Sequence, residues 1–170
     1  ANKYEYTPVK PEEIAPVTDT IREEDLDEAV SYICESKKPY IFVGGGAIIS
    51  DCEDELVRFV ELTGAPVCDS LMGKGAYDGR KDNYTGMLGM HGTKTSNFGV
   101  SKCDLLVVVG ARFSDRVTGN TQKFVTNAKI VQIDIDAAEV NKNIKTDASI
   151  IGDAKEILKR LNAKLEKADI

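Results

Sequence analysis

Two arginines follow a strongly apolar run near the middle of the sequence. Leu105–Val109 is five apolar residues without polar alternation, and it ends at Gly110, before Arg112 and Arg116. Such a run is typical of a parallel strand buried on both faces, and ligands of open α/β sheets bind beyond the carboxyl ends of the strands. Guanidinium groups at that edge favour an anionic ligand, which they can bind bidentately. The alternative is that Arg112 pairs with Asp115 in a solvated loop, where an ion pair contributes little.

A glycine cluster follows an earlier apolar run. Tyr40–Val43 predicts a short buried strand, Gly44–Gly46 follow, and apolar spacing over 51–62 predicts a helix before a second strand. Glycines let a backbone approach a phosphate closely, and a helix N-terminus favours negative charge. This order is typical of a nucleotide-binding unit, with Asp69 near the usual position of a ribose-binding carboxylate. Ile49 stands where a dinucleotide fingerprint has its third glycine, so a tight turn without a ligand is the alternative.

Residues 70–92 form the longest segment without helical or strand periodicity, and long irregular segments of compact domains are usually functional. Its last part, GMLGMHG at 86–92, combines a flexible backbone with apolar side chains and the only histidine, His91. That combination suits a flat apolar ring system better than a phosphate. A lone histidine is more often structural than catalytic, and no metal-ligand or triad partner stands nearby in the sequence.

Carboxylates follow another predicted strand. Lys129–Ile133 is apolar at most positions and leads into Asp134 and Asp136. These carboxylates could accept hydrogen bonds from ribose hydroxyls, or they could cap a short helix around Ala137–Asn141. The sequence leaves both interpretations open.

The elements that would position these residues alternate between strands and helices. Further strands are predicted at Pro66–Cys68 and Ala148–Ile151, and further helices at 23–36, 93–100 and 153–167. This alternation predicts an α/β fold with a doubly wound, mostly parallel sheet of five to six strands, which is a Rossmann-like nucleotide-binding domain. We expect helices on both faces, with 23–36 and 153–167 covering them. Residues 1–20 contain three prolines without periodicity and are predicted to be an interdomain linker, followed by one domain over 21–167.

Length and composition bound the class of protein. The chain has 170 residues, 42% apolar and 29% charged, which suits one globular domain. A net charge of −6 with dispersed lysines and arginines argues against nucleic acid and membrane surfaces as partners. Cys34, Cys68 and Cys103 stand in apolar contexts and are predicted to be buried, whereas Cys52 lies near a helix start, which can lower a thiol pKa. The absence of C-x-x-C spacing and of a signal-peptide core favours a reducing, cytoplasmic location.

Several linked motifs together resemble one family. The chain is similar over about residues 20–165 to the central domain of the acetolactate synthase large, catalytic subunit, a thiamin-diphosphate enzyme. The motifs occur in the family's order: GGG at 44–46, SLMGKGAY at 70–77, GMLGMHG at 86–92, GARFSDRVTGN at 110–120, QIDID at 132–136 and GDA at 152–154. Relatives usually have Thr at 70, Asp at 114 and Pro at 137, where this chain has Ser70, Ser114 and Ala137.

The resemblance implies that this domain binds FAD, through residues that follow the strands or lie in 86–92. The diphosphate or ribityl chain would lie against Gly44, Gly45 and Gly46, beside a wall of Ser70, Leu71 and Met72. The flavin end would contact Leu88, Gly89, Met90 and His91. The linker and phosphates would be bound by Gly110, Ala111, Arg112, Ser114, Arg116 and Val117, with Arg112 as the main charge partner. The adenosine half would be held by Asp134, Ile135, Gly152 and Asp153.

The resemblance also implies the activity of the parent enzyme. That enzyme is a transferase that condenses pyruvate with a second 2-oxo acid in branched-chain amino acid (valine, leucine, isoleucine) biosynthesis. Its thiamin diphosphate and Mg²⁺ lie on other domains, and its flavin does no net redox chemistry in the main reaction. We therefore expect no catalytic residue and no metal ligand in this chain, which would be inactive alone. The implied partners are other domains of the same subunit, a homodimer or tetramer, and a regulatory small subunit.

Three other functions fit the sequence less closely. The domain could come from a related 2-oxo acid decarboxylase or pyruvate oxidase, although GMLGMHG and GARFSDRVTG favour acetolactate synthase. It could be a module that binds ADP or NAD as a sensor, although the missing third glycine at Ile49 weakens the NAD interpretation. It could also be a structural spacer without a ligand.

Overall fold

A single six-stranded sheet runs through the part of the chain that the structure, a computed structural model, describes, which is residues 17–168. All five strand pairings are parallel, and the spatial order is β3-β2-β1-β4-β5-β6. The predicted α/β class and the upper of the two predicted strand numbers are thus confirmed. The strands are β1 (Pro39–Val43), β2 (Val67–Asp69), β3 (Tyr84–Met87), β4 (Leu105–Val109), β5 (Lys129–Asp134) and β6 (Ala148–Ile151). Most of the predicted linker at 1–20 lies outside the described residues.

Helices connect these strands, together with two short 3₁₀ turns. The helices are α1 (Glu23–Glu35), α2 (Gly45–Ile49), α3 (Glu53–Thr63), α4 (Lys94–Lys102), α5 (Asp115–Thr118) and α6 (Ala154–Leu165). The 3₁₀ turns are Leu71–Gly73, after β2, and Ala137–Glu139, after β5. No helix within residues 17–168 is long and apolar enough to cross a membrane.

The central strand β4 is buried on both faces, as its apolar run predicts. Successive side chains of a strand point to opposite faces. Leu105, Val107 and Val109 belong to one hydrophobic cluster, and Leu106 and Val108 belong to a second cluster on the other face. Since β4 lies between β1 and β5, its carboxyl end and the arginine segment beyond it start from a fixed position.

The two faces of the sheet are covered differently. Helices α1, α3 and α6 pack on one face, through side chains such as Leu26, Phe59 and Leu161. The other face, here called the α4 face, is covered by α4 and by irregular segments that contribute Phe113 and Ile144. Helices on both faces are therefore observed, but the expectation that 23–36 and 153–167 cover the two faces was wrong. The α1 and α6 helices contact each other on the same face.

Two segments differ from their predicted secondary structure. The predicted helix 51–62 is preceded by the five-residue helix α2, and the chain turns between α2 and α3 with Asp51 at a φ of +52°. The segment 70–92 contains strand β3, an edge strand with a register irregularity against β2 and with Gly86 at a φ of +95°. Both elements contain glycine, which disfavours helix and strand interiors, so neither has a sequence signal of its own.

The strand order creates a crevice at the carboxyl edge. The chain runs from β1 to β2 and β3 on one side, then returns to β4 and continues to β5 and β6 on the other. Its topological switch point therefore lies between the carboxyl ends of β1 and β4, where Gly44 and Gly110 begin the two turns. Ligands of open α/β sheets bind at such a point.

Candidate functional site

The turns after β1 and β4 are packed backbone against backbone. The N–H of Gly44 donates to the carbonyl of Val109 over 2.9 Å, and the N–H of Gly46 donates to the carbonyl of Gly110 over 2.9 Å. A Cβ atom on Gly44 would lie 2.3 Å from the carbonyl oxygen of Gly110. A Cβ atom on Gly46 would lie 2.7 Å from the Cα of Gly110. These glycines are therefore required by the contact between the two turns, and their presence alone does not identify a phosphate site.

A wall beside this crevice is formed by the 3₁₀ turn after β2. The N–H of Ser70 donates to the carbonyl of Val43 over 2.9 Å, and its hydroxyl accepts from the N–H of Gly73 over 3.1 Å. The capped turn presents Leu71 and Met72 to solvent, with 70% and 75% of their surfaces exposed. Ser70 thus supports two apolar side chains at the edge rather than presenting a free hydroxyl.

The arginine segment presents two cations at the same edge. Ala111 and Phe113 are buried and anchor the segment, whereas Arg112 and Arg116 are exposed. Within residues 17–168 neither arginine forms an ion pair, and the carboxylate of Asp115 accepts instead from the backbone N–H of Arg116 over 2.9 Å. The alternative of an Arg112–Asp115 pair is therefore not found there, and both guanidinium groups are available to an anion. Ser114, also exposed, is the N-cap residue that precedes helix α5, to which Val117 belongs.

The turn at 88–92 lies directly against the arginine segment. The N–H of Met90 donates to the carbonyl of Arg116 over 2.8 Å, and a Cβ on Gly89 would lie 2.4 Å from the same oxygen. Met90 is 69% exposed and His91 is exposed, but Leu88 is only 4% exposed and packs in the core of the α4 face. A ligand at this edge could therefore contact the main chain of Leu88 but not its buried side chain.

The carboxylates after β5 divide between two tasks. Asp136 accepts from the N–H of Ala138 over 2.9 Å and caps the 3₁₀ turn Ala137–Glu139, so one of the two predicted roles is observed. Asp134 is 8% exposed and accepts from the N–H of Asp136 over 3.0 Å. Burial raises the pKa of Asp134 above its ordinary value, against the opposing effect of that hydrogen bond. Ile135 between them is 57% exposed.

The end of β6 is more closed than the resemblance implies. A Cβ on Gly152 would lie 2.6 Å from Cγ1 of Ile21, so the chain before α1 covers this glycine. The carboxylate of Asp153 caps α6, accepting from Glu156 N over 3.2 Å, and also accepts from the hydroxyl of Ser50 over 3.0 Å. Both residues lie at the predicted edge, but their contacts are mainly internal to the fold.

A polar cluster next to the wall has no clear sequence signal. Asp69, at the end of β2, is 4% exposed and accepts from the hydroxyl of Tyr84 over 2.7 Å. The Nζ of Lys74 lies 3.5 Å from this carboxylate and 3.4 Å from the Tyr84 hydroxyl. Burial and the neighbouring Asp69 raise the pKa of Tyr84. The carboxylate proposed for a ribose is thus already paired within the protein.

The edge places exposed apolar side chains beside Arg112 and Arg116, which form no ion pair within residues 17–168. Most of the large apolar side chains that are exposed in this part of the chain lie in α2 or in the turns at this edge: Ile48, Ile49, Leu71, Met72, Met90 and Ile135. Such an arrangement can bind an anionic group that carries a flat apolar group, since cations and apolar surface stand side by side.

Two cavities lie on the α4 face. One, of about 320 Å³, lies beneath the segments 121–128 and 143–145, with Ile130 among its lining residues. The other, of about 180 Å³, lies between α4 and the segment 117–125 and is lined partly by Leu88 and Val117. The glycine turns line neither cavity. Across residues 17–168 no group of three or more His, Cys, Asp or Glu side chains could hold a metal ion.

The thiols differ in part from their predicted environment. Cys68 and Cys103 are buried as predicted, but Cys34 is exposed, so its predicted burial was wrong. Cys52 is fully buried, and that burial raises its thiol pKa to about 12 rather than lowering it. Burial likewise raises the pKa of Cys103 to about 12. Among these four, only Cys34 is open to solvent.

Comparisons with known proteins agree with this architecture. Residues 26–161 match the family model for the central domain of thiamine pyrophosphate enzymes. The chain is 50% identical over 141 residues to the chloroplastic acetolactate synthase of Arabidopsis thaliana, covering 83% of this chain and 21% of that protein. It is 41% identical over 164 residues to the acetolactate synthase large subunit of Pyropia yezoensis, covering 94% of this chain and 28% of that protein.

A solved structure supports the fold independently. The structure of a thiamin diphosphate-dependent enzyme from Mycobacterium smegmatis superposes with a TM-score of 0.76 at 24% identity, covering 96% of this chain and 32% of that one. This likeness shows the fold alone. The chain spans about a quarter of the length of the curated relatives it matches. The match over 26–161 nevertheless covers most of the sequence, and the chain therefore belongs to the thiamine pyrophosphate enzyme family, of which it is a central domain.

Proposed function

We propose that this domain binds FAD at the carboxyl edge of its sheet. The observation that carries the proposal is the pair of exposed guanidinium groups of Arg112 and Arg116, which have no ion-pair partner within residues 17–168 and lie beyond the carboxyl end of β4. Charged donors without partners at a topological switch point are typical of a site for a phosphate-containing ligand.

The side chains around the arginines fit the rest of FAD. A diphosphate would be bound by Arg112, with Arg116 and the main chain of 110–114 beside it. The exposed Leu71 and Met72 offer apolar surface beside the ribityl chain, Met90 offers it to the isoalloxazine ring, and His91 adds a polar group at the ring's margin. Bound FAD would supply a flavin ring, and the residues of this chain would bind and orient it.

For the whole protein we propose an acetolactate synthase that condenses pyruvate with a second 2-oxo acid. The support is the identity of 41% and 50% between this chain and the acetolactate synthases of Pyropia yezoensis and Arabidopsis thaliana. Thiamin diphosphate and Mg²⁺ would lie on domains outside this chain, together with the catalytic residues. The partners would be those domains, further copies of the subunit and a regulatory small subunit, in the cytoplasm.

Ligand titration tests the proposal. We expect the 170-residue chain to bind FAD and, less tightly, ADP, and to bind NAD more weakly than either. Binding of NAD or ADP in preference to FAD would favour a nucleotide-sensing module, and binding of none of the three would favour a structural spacer.

An assay of products tests the second part of the proposal. The parent enzyme should form acetolactate from pyruvate, whereas a decarboxylase would release an aldehyde. The isolated chain, given pyruvate, thiamin diphosphate and Mg²⁺, should form neither product, because the proposed catalytic residues lie on domains outside this chain. Turnover by the chain alone would contradict this assignment of roles.

A further inference from the structure

The side chain of Asn97, on α4, forms three hydrogen bonds within residues 17–168, and all three are to main-chain groups. Their partners are Gly89, in the 88–92 turn, and Thr93, at the start of α4. Its Oδ1 accepts from the N–H of Gly89 over 3.2 Å, and its Nδ2 donates to the carbonyl of Gly89 over 2.9 Å. Nδ2 also donates to the carbonyl of Thr93 over 3.0 Å. Because Gly89 presents both a donor and an acceptor, the pair of bonds fixes which end of the amide faces which group.

The turn that this amide contacts is also held by main-chain hydrogen bonds: the N–H of Leu88 donates to the carbonyl of Asp69 over 2.8 Å, and the N–H of Gly92 donates to the carbonyl of Gly89 over 2.9 Å. Gly89 has a φ of +105°, a conformation that only glycine adopts readily. The cavity of about 180 Å³ lies next to the turn, between Leu88 and Val117, so side-chain packing there is incomplete. Hydrogen bonds therefore contribute strongly to the position of the turn, and Asn97 supplies the two side-chain bonds at Gly89 itself.

The same turn is joined to the arginine segment. The N–H of Met90 donates to the carbonyl of Arg116 over 2.8 Å. A shift of Gly89 would move Met90 and weaken that bond. The amide on α4 thus helps to fix the distance between the two segments that, in the proposed function, receive opposite ends of one ligand.

We propose that Asn97 is a positioning residue, which orients Met90 and His91 toward the ring end of the ligand and keeps them in register with Arg116. The inference rests on the proposed function, since it assigns a role within the FAD site. In this role Asn97 acts through the turn, since both ends of its amide are bonded to the main chain. Loss of the amide should therefore affect the flavin end more than the adenosine diphosphate end.

Two variants of Asn97 and one control test this role. Asn97→Ala removes all three hydrogen bonds, and Asn97→Asp keeps the acceptor for the Gly89 N–H but loses both donors. The control is Ser101→Ala, one turn further along α4. Ser101 lines the same cavity, and its hydroxyl donates only to the carbonyl of Phe98. All three should fold, since Asn97 and Ser101 are both exposed.

Binding and amide hydrogen exchange give separate readouts in the 170-residue chain. For Asn97→Ala we expect FAD affinity to fall about 10-fold and ADP affinity to change by less than about 2-fold. Without ligand, the amides of Gly89 and Met90 should exchange about 10-fold faster than in the parent, whereas Asn97→Asp should deprotect Met90 more than Gly89. Ser101→Ala should match the parent in both measurements.

The outcomes separate this inference from the proposed function. Unchanged exchange at Gly89 and Met90 in Asn97→Ala would overturn the positioning role, whichever ligand binds. An equal loss of FAD and ADP affinity would overturn it as well, because the effect would then not be specific to the ring end. A parent chain that binds neither nucleotide would count against the proposed function, while faster exchange in Asn97→Ala would still support positioning of the turn.

Discussion

A Cβ atom placed on Gly44 would lie 2.3 Å from the carbonyl oxygen of Gly110, so the turns after β1 and β4 are in van der Waals contact through their main chains. The N–H of Gly110 in turn donates to the carbonyl of Ile133 in β5 over 2.9 Å. The switch point of the sheet is thus a closely packed backbone junction. Any ligand at this edge binds above the junction and not within it.

The first prediction concerns this junction. We expect Gly44→Ala to lower the free energy of unfolding by about 3 kcal/mol, because the methyl group would force apart two backbones. The matched control is Gly45→Ala, whose Cβ would lie 3.1 Å from Cβ of the exposed Met72. That variant should stay within about 1 kcal/mol of the parent, since alanine also favours the helix. Equal unfolding midpoints for the two variants in urea would contradict the packing argument.

The second prediction concerns the proposed charge partner of the diphosphate. Arg112→Ala should weaken the binding of both FAD and ADP by about 2–3 kcal/mol, because a hydrogen bond to a charged group is lost. Isothermal titration calorimetry measures both affinities. Arg58→Ala is the control for net charge, since Arg58 lies on α3 and pairs with Glu166 over 2.9 Å. An Arg112→Ala variant that binds ADP as tightly as the Arg58→Ala variant would exclude Arg112 from the site.

The third prediction separates the two ends of the ligand. His91→Ala should weaken FAD binding by about 1 kcal/mol and leave ADP binding nearly unchanged, because His91 lies on the turn assigned to the flavin. Competition between ADP and FAD, followed by flavin fluorescence, measures the ratio of affinities. The opposite selectivity would mean that the ligand lies in reverse orientation across the edge.

The fourth prediction concerns the pH dependence of stability at Asp134. Burial raises the pKa of this carboxyl, so its ionised form destabilises the folded state, and this cost disappears as the pH falls toward about 4. Asp134→Asn keeps an acceptor for the N–H of Asp136 and removes the charge. The variant should therefore be more stable than the parent at pH 7, with a difference that shrinks on acidification. Urea unfolding at several pH values measures it, and a difference that grows toward low pH would reverse the sign of the argument.

Some of this architecture could be predicted from the sequence because short local patterns indicated it. The uninterrupted run Leu105–Val109 predicted a central strand, and the turn residues after it predicted where a ligand edge begins. Helices α1 and α6 were predicted from apolar spacing, but not the face that each covers. Spacing reports that a helix is amphipathic, and it carries no information about which side of the sheet the chain crosses.

Other features depend on contacts that no local pattern records. Strand β3 contains a glycine at positive φ and has no fully buried side chain, so it lacked the apolar alternation of a strand. The glycines 44 and 46 were expected to let a backbone approach a phosphate; the structure shows in addition that Gly110 and Ala111 occupy the positions their side chains would take, a contact between distant segments. The role of Asn97 depends on a turn eight residues earlier, which the sequence alone does not bring into contact with it.

Backbone amide chemical shifts of the 170-residue chain, followed during titration with ADP and then FAD, test whether the ligand binds at the carboxyl edge. We predict that ADP perturbs the amides of Gly110–Arg116 and of the glycine turn after β1, and that FAD additionally perturbs those of Leu71, Met72 and Met90. The competing location is the cavity of about 320 Å³ beneath the segments 121–128 and 143–145. Perturbations confined to those segments, with the carboxyl edge unchanged, would contradict the predicted location.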